Sequence, residues 1–297
     1  MTLTLPVLAL AAAAATASAS PAPTSAPAPV NSREPEALAV IREMAAAAPK
    51  IDGYTMTLVK RELRGKELEP EERMAVKWSR PQKIYLKEIA GPREGQEVLY
   101  VPGTNKNRIK VRTGSFPRLT LNLDPYGNLA MAHAHHPVPE VSLVRFIELV
   151  ADNVERADAK KVGSLRIKGH ETLFGRKAVV IEATCPATGT TPTLGKGQTL
   201  WDLARATGQP MFVILNANKR RGWTQADHAQ PGDAVFVPDF YASAMVLWVD
   251  EELHVPIQAD LYDHFGYLFE HYEHRDLALN PKLTDADFDP KNKAYRF

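Results

Sequence analysis

Apolar and polar residues alternate with a period of two through most of the chain. Five such stretches, 54–60, 73–79, 83–89, 97–101 and 108–112, are separated by Gly, Pro and Asn and read as short strands. The alternation resumes at 164–168 and 177–183, breaks, and returns at 244–249, 257–262 and 269–274. Strands this closely spaced predict an antiparallel meander rather than βαβ units. Two segments change to helical spacing: 36–47 aligns Leu38, Ile41, Met44 and Ala45 and stops before Pro49, and 142–158 aligns Leu143, Phe146, Ile147, Val150 and Val154. The predicted fold class is α+β, an antiparallel sheet with packed helices.

The break in the alternation has start, middle and stop signals of its own. Gly197-Gln198-Thr199-Leu200 supplies a turn and an N-cap, Leu203 and Ala204 follow at helical spacing, and Gly208 ends this first helix. After Gln209-Pro210, the run Phe212, Val213, Ile214, Leu215 predicts a second helix closing near Asn216 and Asn218. A polar loop through Trp223 and His228 leads to the turn Pro231-Gly232-Asp233 and to a short strand, 235–238, that Leu194 could pair with. Residues 191–240 are therefore expected to form an inserted βααβ module between the two parts of a discontinuous main domain, 34–190 and 241–297. For the sheet to continue across it, the chain near 190 and near 240 must emerge close together, as at a hairpin tip where insertions disturb few core contacts.

The positions Gly197, Thr199, Leu200, Leu203, Ala204, Gly208, Ile214, Leu215, Asn218, Pro231, Gly232, Val235, Val237 and Pro238 make this module resemble the lysin motif (LysM), which binds peptidoglycan and chitin. Gln198 departs from it, since that family usually has Asp there. The resemblance implies a shallow groove for N-acetylglucosamine units, with Gly197, Gln198, Thr199 and Leu200 facing Ala229, Gln230, Pro231 and Gly232. A glycan with N-acetyl groups needs backbone donors and acceptors on a turn beside an apolar floor. Trp201 and Trp223 are equally readable as sugar platforms or as packing.

The remainder resembles the periplasmic lipoprotein-carrier (Lol type) proteins, through Trp248-Val249-Asp250, Pro256, Asp260-Leu261-Tyr262-Asp263, Gly266, Asn280-Pro281 and Asp287-Phe288. Its first half is similar to an uncharacterised bacterial family related to them, through Glu72-Arg73-Met74, Lys77-Trp78, the run 81–87 and the run 95–103. This resemblance implies a curved antiparallel half-barrel whose apolar face wraps helices and can hold acyl chains. The apolar-ligand face would then be Met56, Leu58, Val76, Trp78, Ile84 and Leu86. A fully packed core would use the same alternation.

Composition narrows the function. The formal net charge is +1 over 297 residues with both signs mixed, which suggests neither nucleic acid nor an anionic membrane as a partner. No Gly-rich phosphate loop is present, and no cofactor is expected. The first 32 residues are uncharged, with an apolar run followed by Ala17-Ser18-Ala19, which predicts a signal peptide at 1–19 and an Ala/Pro/Ser-rich linker at 20–33. The run is too short to span a membrane. Cys185, the only cysteine, can form no internal disulfide and reads as a half-buried structural thiol. His133, His135 and His136 form a Pro-bounded trio without nearby carboxylate or sulfur ligands and read as a solvated loop. On the strand near 271, His271 and Glu273 fall on one face and Tyr272 and His274 on the other, which splits a ligand set. Neither a nucleophile elbow nor a zinc-protease helix appears.

The expected protein is a periplasmic or secreted, non-enzymatic binder. It would dock on peptidoglycan through the module and hold lipid or a lipoprotein acyl chain in the half-barrel. The alternative is an envelope-assembly factor with a filled core and a protein partner.

Overall fold

The computed structural model describes residues 32–65 and 67–297. The predicted signal peptide and all but the end of the predicted linker lie outside them. That end, Ser32–Arg33, is not linker: it pairs in parallel with Ser164 and Leu165 at one edge of the main sheet.

From this edge the sheet runs through Ser164–Leu173, Arg176–Thr184, Ala244–Asp250, Pro256–Tyr262, Leu268–Leu279, Gly53–Arg64, Glu72–Ser79, Lys83–Ala90, Glu97–Tyr100, Ile109–Arg112 and Thr120–Leu123. Each of these neighbours is antiparallel to the next. The order is open, with two edges, so the sheet is a curved trough and not a closed barrel. Register shifts at Val180/Ile181, Trp248/Val249 and Arg275/Ala278 are bulges that add bend and twist.

Helices α1 (Pro35–Ala47) and α3 (Leu143–Ala159) fill part of the concave side; a single turn, α2 (Asn128–Met131), lies between them in sequence. The hydroxyl of Ser142 accepts from the Arg145 amide at 3.0 Å and starts α3. The α3 stripe Leu143, Ile147, Val150 and Val154 is buried. The first amide of α3 is tied to the sheet, Leu143 N donating to the Tyr54 hydroxyl at 3.0 Å, and Tyr54 stacks on Trp78 with ring centroids 5.2 Å apart.

The insertion leaves the trough's hydrogen-bond ladder intact, because Thr184 pairs with Ala244 across it. It forms a two-stranded sheet of its own, Gly189–Thr190 with Val237–Pro238, extended by a bridge between Thr193 and Ala234. Leu194 pairs through backbone bonds with Gly232 and Asp233, not with the predicted strand at 235–238. Helices α4 (Leu200–Thr207) and α5 (Met211–Ala217) lie between. A reciprocal cap joins Thr199 and Asp202, and Gly208 ends α4 at φ 71°, a conformation with little cost only for glycine.

The expectation that the insertion disturbs few core contacts does not hold. Leu200, Leu203, Phe212, Val213 and Ile214 belong to the same continuous apolar core as Ile147, Leu247 and Phe269 of the trough.

Candidate ligand cavity

Beyond α3 the trough is not filled. An open cavity of about 870 Å³ lies between the sheet, α3, α2 and the insertion. Of the six residues expected on the apolar face, Met56, Leu58, Val76 and Leu86 line it. Trp78 and Ile84 share their strand faces but lie at the packed end, 2% and 0% exposed. The alternation thus found the concave face, and the helices decided which part became core and which part wall. Met74, Val98, Ile109, Val111, Leu121 and Leu123 continue the apolar wall.

The wall becomes ionic at one end, where Lys60, Glu62, Arg93, His136 and Tyr272 face the same space. These groups belong to a largely buried network. The Lys60 ammonium donates to Glu62 Oε2 at 2.9 Å and lies 3.7 Å from Glu72, which also pairs with Arg93. The Tyr272 hydroxyl donates to Glu62 Oε1 at 2.8 Å. Glu270, fully buried, accepts from His135 Nδ1 at 2.8 Å and from the Tyr241 hydroxyl at 2.6 Å. His136 Nε2 lies 2.8 Å from the Tyr241 oxygen and 3.4 Å from Glu270.

Burial pushes the Glu62 carboxyl up, but the charges of Lys60 and His135 outweigh it and hold Glu62 well below the carboxylate range. For Glu270 burial acts the same way and is overcome by hydrogen bonds from His135 and His136, so it too is lowered. Burial would lower His136, yet its bond to Glu270 leaves it raised. Burial also opposes the charge on Lys60, and Glu62 with Glu72 more than restores it.

The histidine loop is therefore not solvated. His135 is 1% exposed, and its Nε2 donates to the Leu63 carbonyl at 3.0 Å. The Arg64 guanidinium holds the loop by donating to the carbonyls of Met131 and Ala134, both at 2.9 Å. Only His133 is mostly exposed, with Glu69 beside it at 3.2 Å.

Phe212 of the insertion closes the network's far side, its ring stacked on His135 at 3.3 Å between centroids. Trp201, Ala204, Gly208 and Met211 of the insertion also line the cavity, so the module is one of its walls. Trp201 meets Tyr126 edge-on, and Trp223 lies under Arg221, so both are partly covered.

The two turns singled out for glycan are adjacent. Leu194 donates to Asp233 O and accepts from Gly232 N, both at 2.8 Å, which sets the 195–199 turn beside the 230–232 turn. Gly197, Gln198, Thr199, Gln230, Pro231 and Gly232 are exposed, whereas Leu200 and Ala229 are 0% and 5% exposed and can serve only as support. Gln198 Oε1 accepts from the Gly195 amide at 2.7 Å, so it braces its own turn.

Tyr272 and His274 face the cavity, while His271 on the other face lies between Asp260 at 2.5 Å and Glu273 at 3.3 Å, as the period of two requires. Burial opposes the His271 charge, but those two carboxylates lift it to about 9. Cys185 is half-buried, and burial pushes its thiol up to about 11, away from nucleophilic reactivity. Among the described residues no group of His, Cys, Asp and Glu is arranged to hold a metal ion. Among the same residues no helix is long and apolar enough to cross a membrane.

The ionic network left a signal in the sequence that strand alternation alone did not exploit. Lys60 and Glu62 continue the inward series Met56, Leu58, and Glu72 precedes Met74, Val76, Trp78 on the next strand. Glu270 precedes Tyr272 and His274 on a third. A charge repeated at the same end of neighbouring inward columns marks a polar floor.

Trough, cavity and helical cover define a half-barrel protein with a partly open interior. The family model described as "Protein of unknown function (DUF1571)" matches residues 51–214 and 213–297, and the chain belongs to that family. No curated protein matches it. Among solved structures, it is similar to MucB at 14% identity and a TM-score of 0.42, over 86% of this chain and 63% of that one. The Mycobacterium tuberculosis lipoprotein LppX matches at 13% identity and a TM-score of 0.43, over 86% of this chain and 100% of that one. A LolA superfamily protein from Nitrosomonas europaea matches at 11% identity and a TM-score of 0.32, over 85% of this chain and 97% of that one. The chain thus spans 63% of the length of the MucB chain.

Proposed function

We propose that this protein is a non-enzymatic envelope binder that holds an amphipathic lipid, or the acyl chain of a lipoprotein, in the half-barrel. The observation that carries the reading is the cavity of about 870 Å³, apolar along its strands and ionic at one end. Its size lies in the range of small-ligand sites, and its two-part lining suits a ligand with an apolar body and a polar head. The alternative of a filled core fits only the packed end around Trp78 and Ile84.

Native mass spectrometry of the purified protein should detect co-purified lipid. The double variant Val98→Trp with Leu123→Trp, both half-buried wall positions, should fill the space and lose that lipid while unfolding at the same denaturant concentration. Equal lipid content in the two proteins would remove the carrier reading.

The insertion is read as a LysM-like module that docks on peptidoglycan with Gly197, Gln198, Thr199, Gln230, Pro231 and Gly232. What supports it is the pair of exposed turns held side by side on an independent ladder. One such module presents little area, so affinity is low and residence depends on several contacts along the glycan. Deleting the module would open the cavity, so the informative variant is Gln198→Ala with Gln230→Ala. Its pelleting with isolated sacculi should require a higher sacculus concentration; unchanged pelleting would exclude glycan docking at these turns.

A further inference from the structure

The edge of the trough opposite Ser32–Arg33 is a hairpin, Ile109–Arg112 with Thr120–Leu123. From residue 98 to residue 123 the chain carries Lys106, Arg108, Lys110, Arg112 and Arg118 and no Asp or Glu. Ile109 and Val111 point into the cavity, so the alternating cations Arg108, Lys110 and Arg112 occupy the outer face. Among the described residues none of these five cations is ion-paired with a carboxylate. At the hairpin tip Phe116 is 95% exposed and Leu119 is 48% exposed. Leu129 and Tyr126, which line the cavity, are also 67% and 38% exposed and therefore stand at its mouth.

A phenyl ring held almost wholly in water contributes nothing to the core; Arg112 and Arg118 border it at the tip, Arg112 donating to the Arg118 carbonyl, while Lys106 and Arg108 lie toward the hairpin's other end. An aromatic tip flanked by Lys and Arg is the composition that partitions into the headgroup region of anionic membranes, the ring entering the acyl boundary and the cations facing the phosphates. We propose that this hairpin docks the protein on an anionic lipid bilayer, with Phe116 and Leu119 of its tip inserted. An acidic protein would satisfy the cations but would leave the isolated Phe116 without a matching pocket, so the bilayer is the better partner.

The test uses the full chain with Phe116→Cys in a Cys185→Ser background, labelled with an environment-sensitive fluorophore. On vesicles of phosphatidylglycerol and phosphatidylcholine in equal parts the emission should shift to the blue, and high salt should suppress the shift. Vesicles of phosphatidylcholine alone should give little or none. Adding Lys110→Gln and Arg118→Gln should weaken binding roughly 25-fold, about fivefold per cation. Absence of a shift on anionic vesicles, an equal shift on phosphatidylcholine, or a shift only with an acidic polypeptide such as polyglutamate would each overturn the proposal. The single cavity-wall variant Val98→Trp, which lies outside the hairpin, should still bind vesicles, which separates this inference from lipid storage in the half-barrel.

Discussion

Glu270→Ala is expected to destabilise the protein by about 3–5 kcal/mol, the range for removing one partner of a buried ionic group. Glu270 is 0% exposed and accepts hydrogen bonds from His135 and Tyr241, with His136 3.4 Å away. Truncation leaves those donors facing a void that the packed aromatic rings prevent from closing. Denaturant unfolding should show a lower midpoint at unchanged slope. Tyr241→Phe, which removes one donor and keeps the ring, should cost only about 0.5–1.5 kcal/mol.

The same network gives stability a pH dependence with two limbs. Glu270 is lowered from 4.5, so its contribution is present above 4.5 and is lost as pH falls through its folded value. His136 is raised from 6.5, so its contribution is complete below 6.5 and is lost as pH rises through its folded value. The difference between wild type and Glu270→Ala should therefore be largest between 4.5 and 6.5 and shrink on both sides. A difference that stays constant across both limits would show that Glu270 acts through packing alone.

Phe212→Ala should cost a comparable 3–5 kcal/mol, the usual range for a buried phenylalanine. Phe212 is 7% exposed, stacks on His135 and has the Arg64 guanidinium 5.7 Å above its ring. It is thus the point at which the insertion is seated on the ionic floor of the trough. Its loss should loosen the module as well as the core, so limited proteolysis should cut first in the exposed segment around Arg220–Gln225. Because Phe212 and Glu270 both fix His135, the double variant should be less destabilised than the sum of the singles. Additive losses, with no new cleavage in the insertion, would mean that the module is held elsewhere.

Most of the elements were legible in the chain because a period of two or of 3.6 is a local property. The strands at 54–60, 73–79, 83–89 and 244–249 lie within observed strands, and the helix at 142–158 within one residue of α3 and its Ser142 cap. The strand Thr120–Leu123 and the turn α2 were not anticipated. Only half of Thr120–Leu123 is apolar, and its place is set by pairing with Ile109–Arg112. The Ala-His-Ala-His-His-Pro segment was misread for a related reason. Its carboxylate partner Glu270 is 135 positions from His135 in sequence, and local composition carries no trace of such a contact.

Local order along the chain set the alternation that makes a one-faced sheet, the caps that delimit α3 and α4, and the position of the insertion. It also placed Met56, Leu58, Val76, Trp78, Ile84 and Leu86 on one concave surface. That Trp78 and Ile84 are core while the other four line a cavity follows from packing in three dimensions, because it depends on how far the helices reach along the trough. The same packing makes the insertion a wall of that cavity. The physical reason is that periodicity fixes which way a side chain points, whereas burial depends on what the rest of the chain brings to meet it.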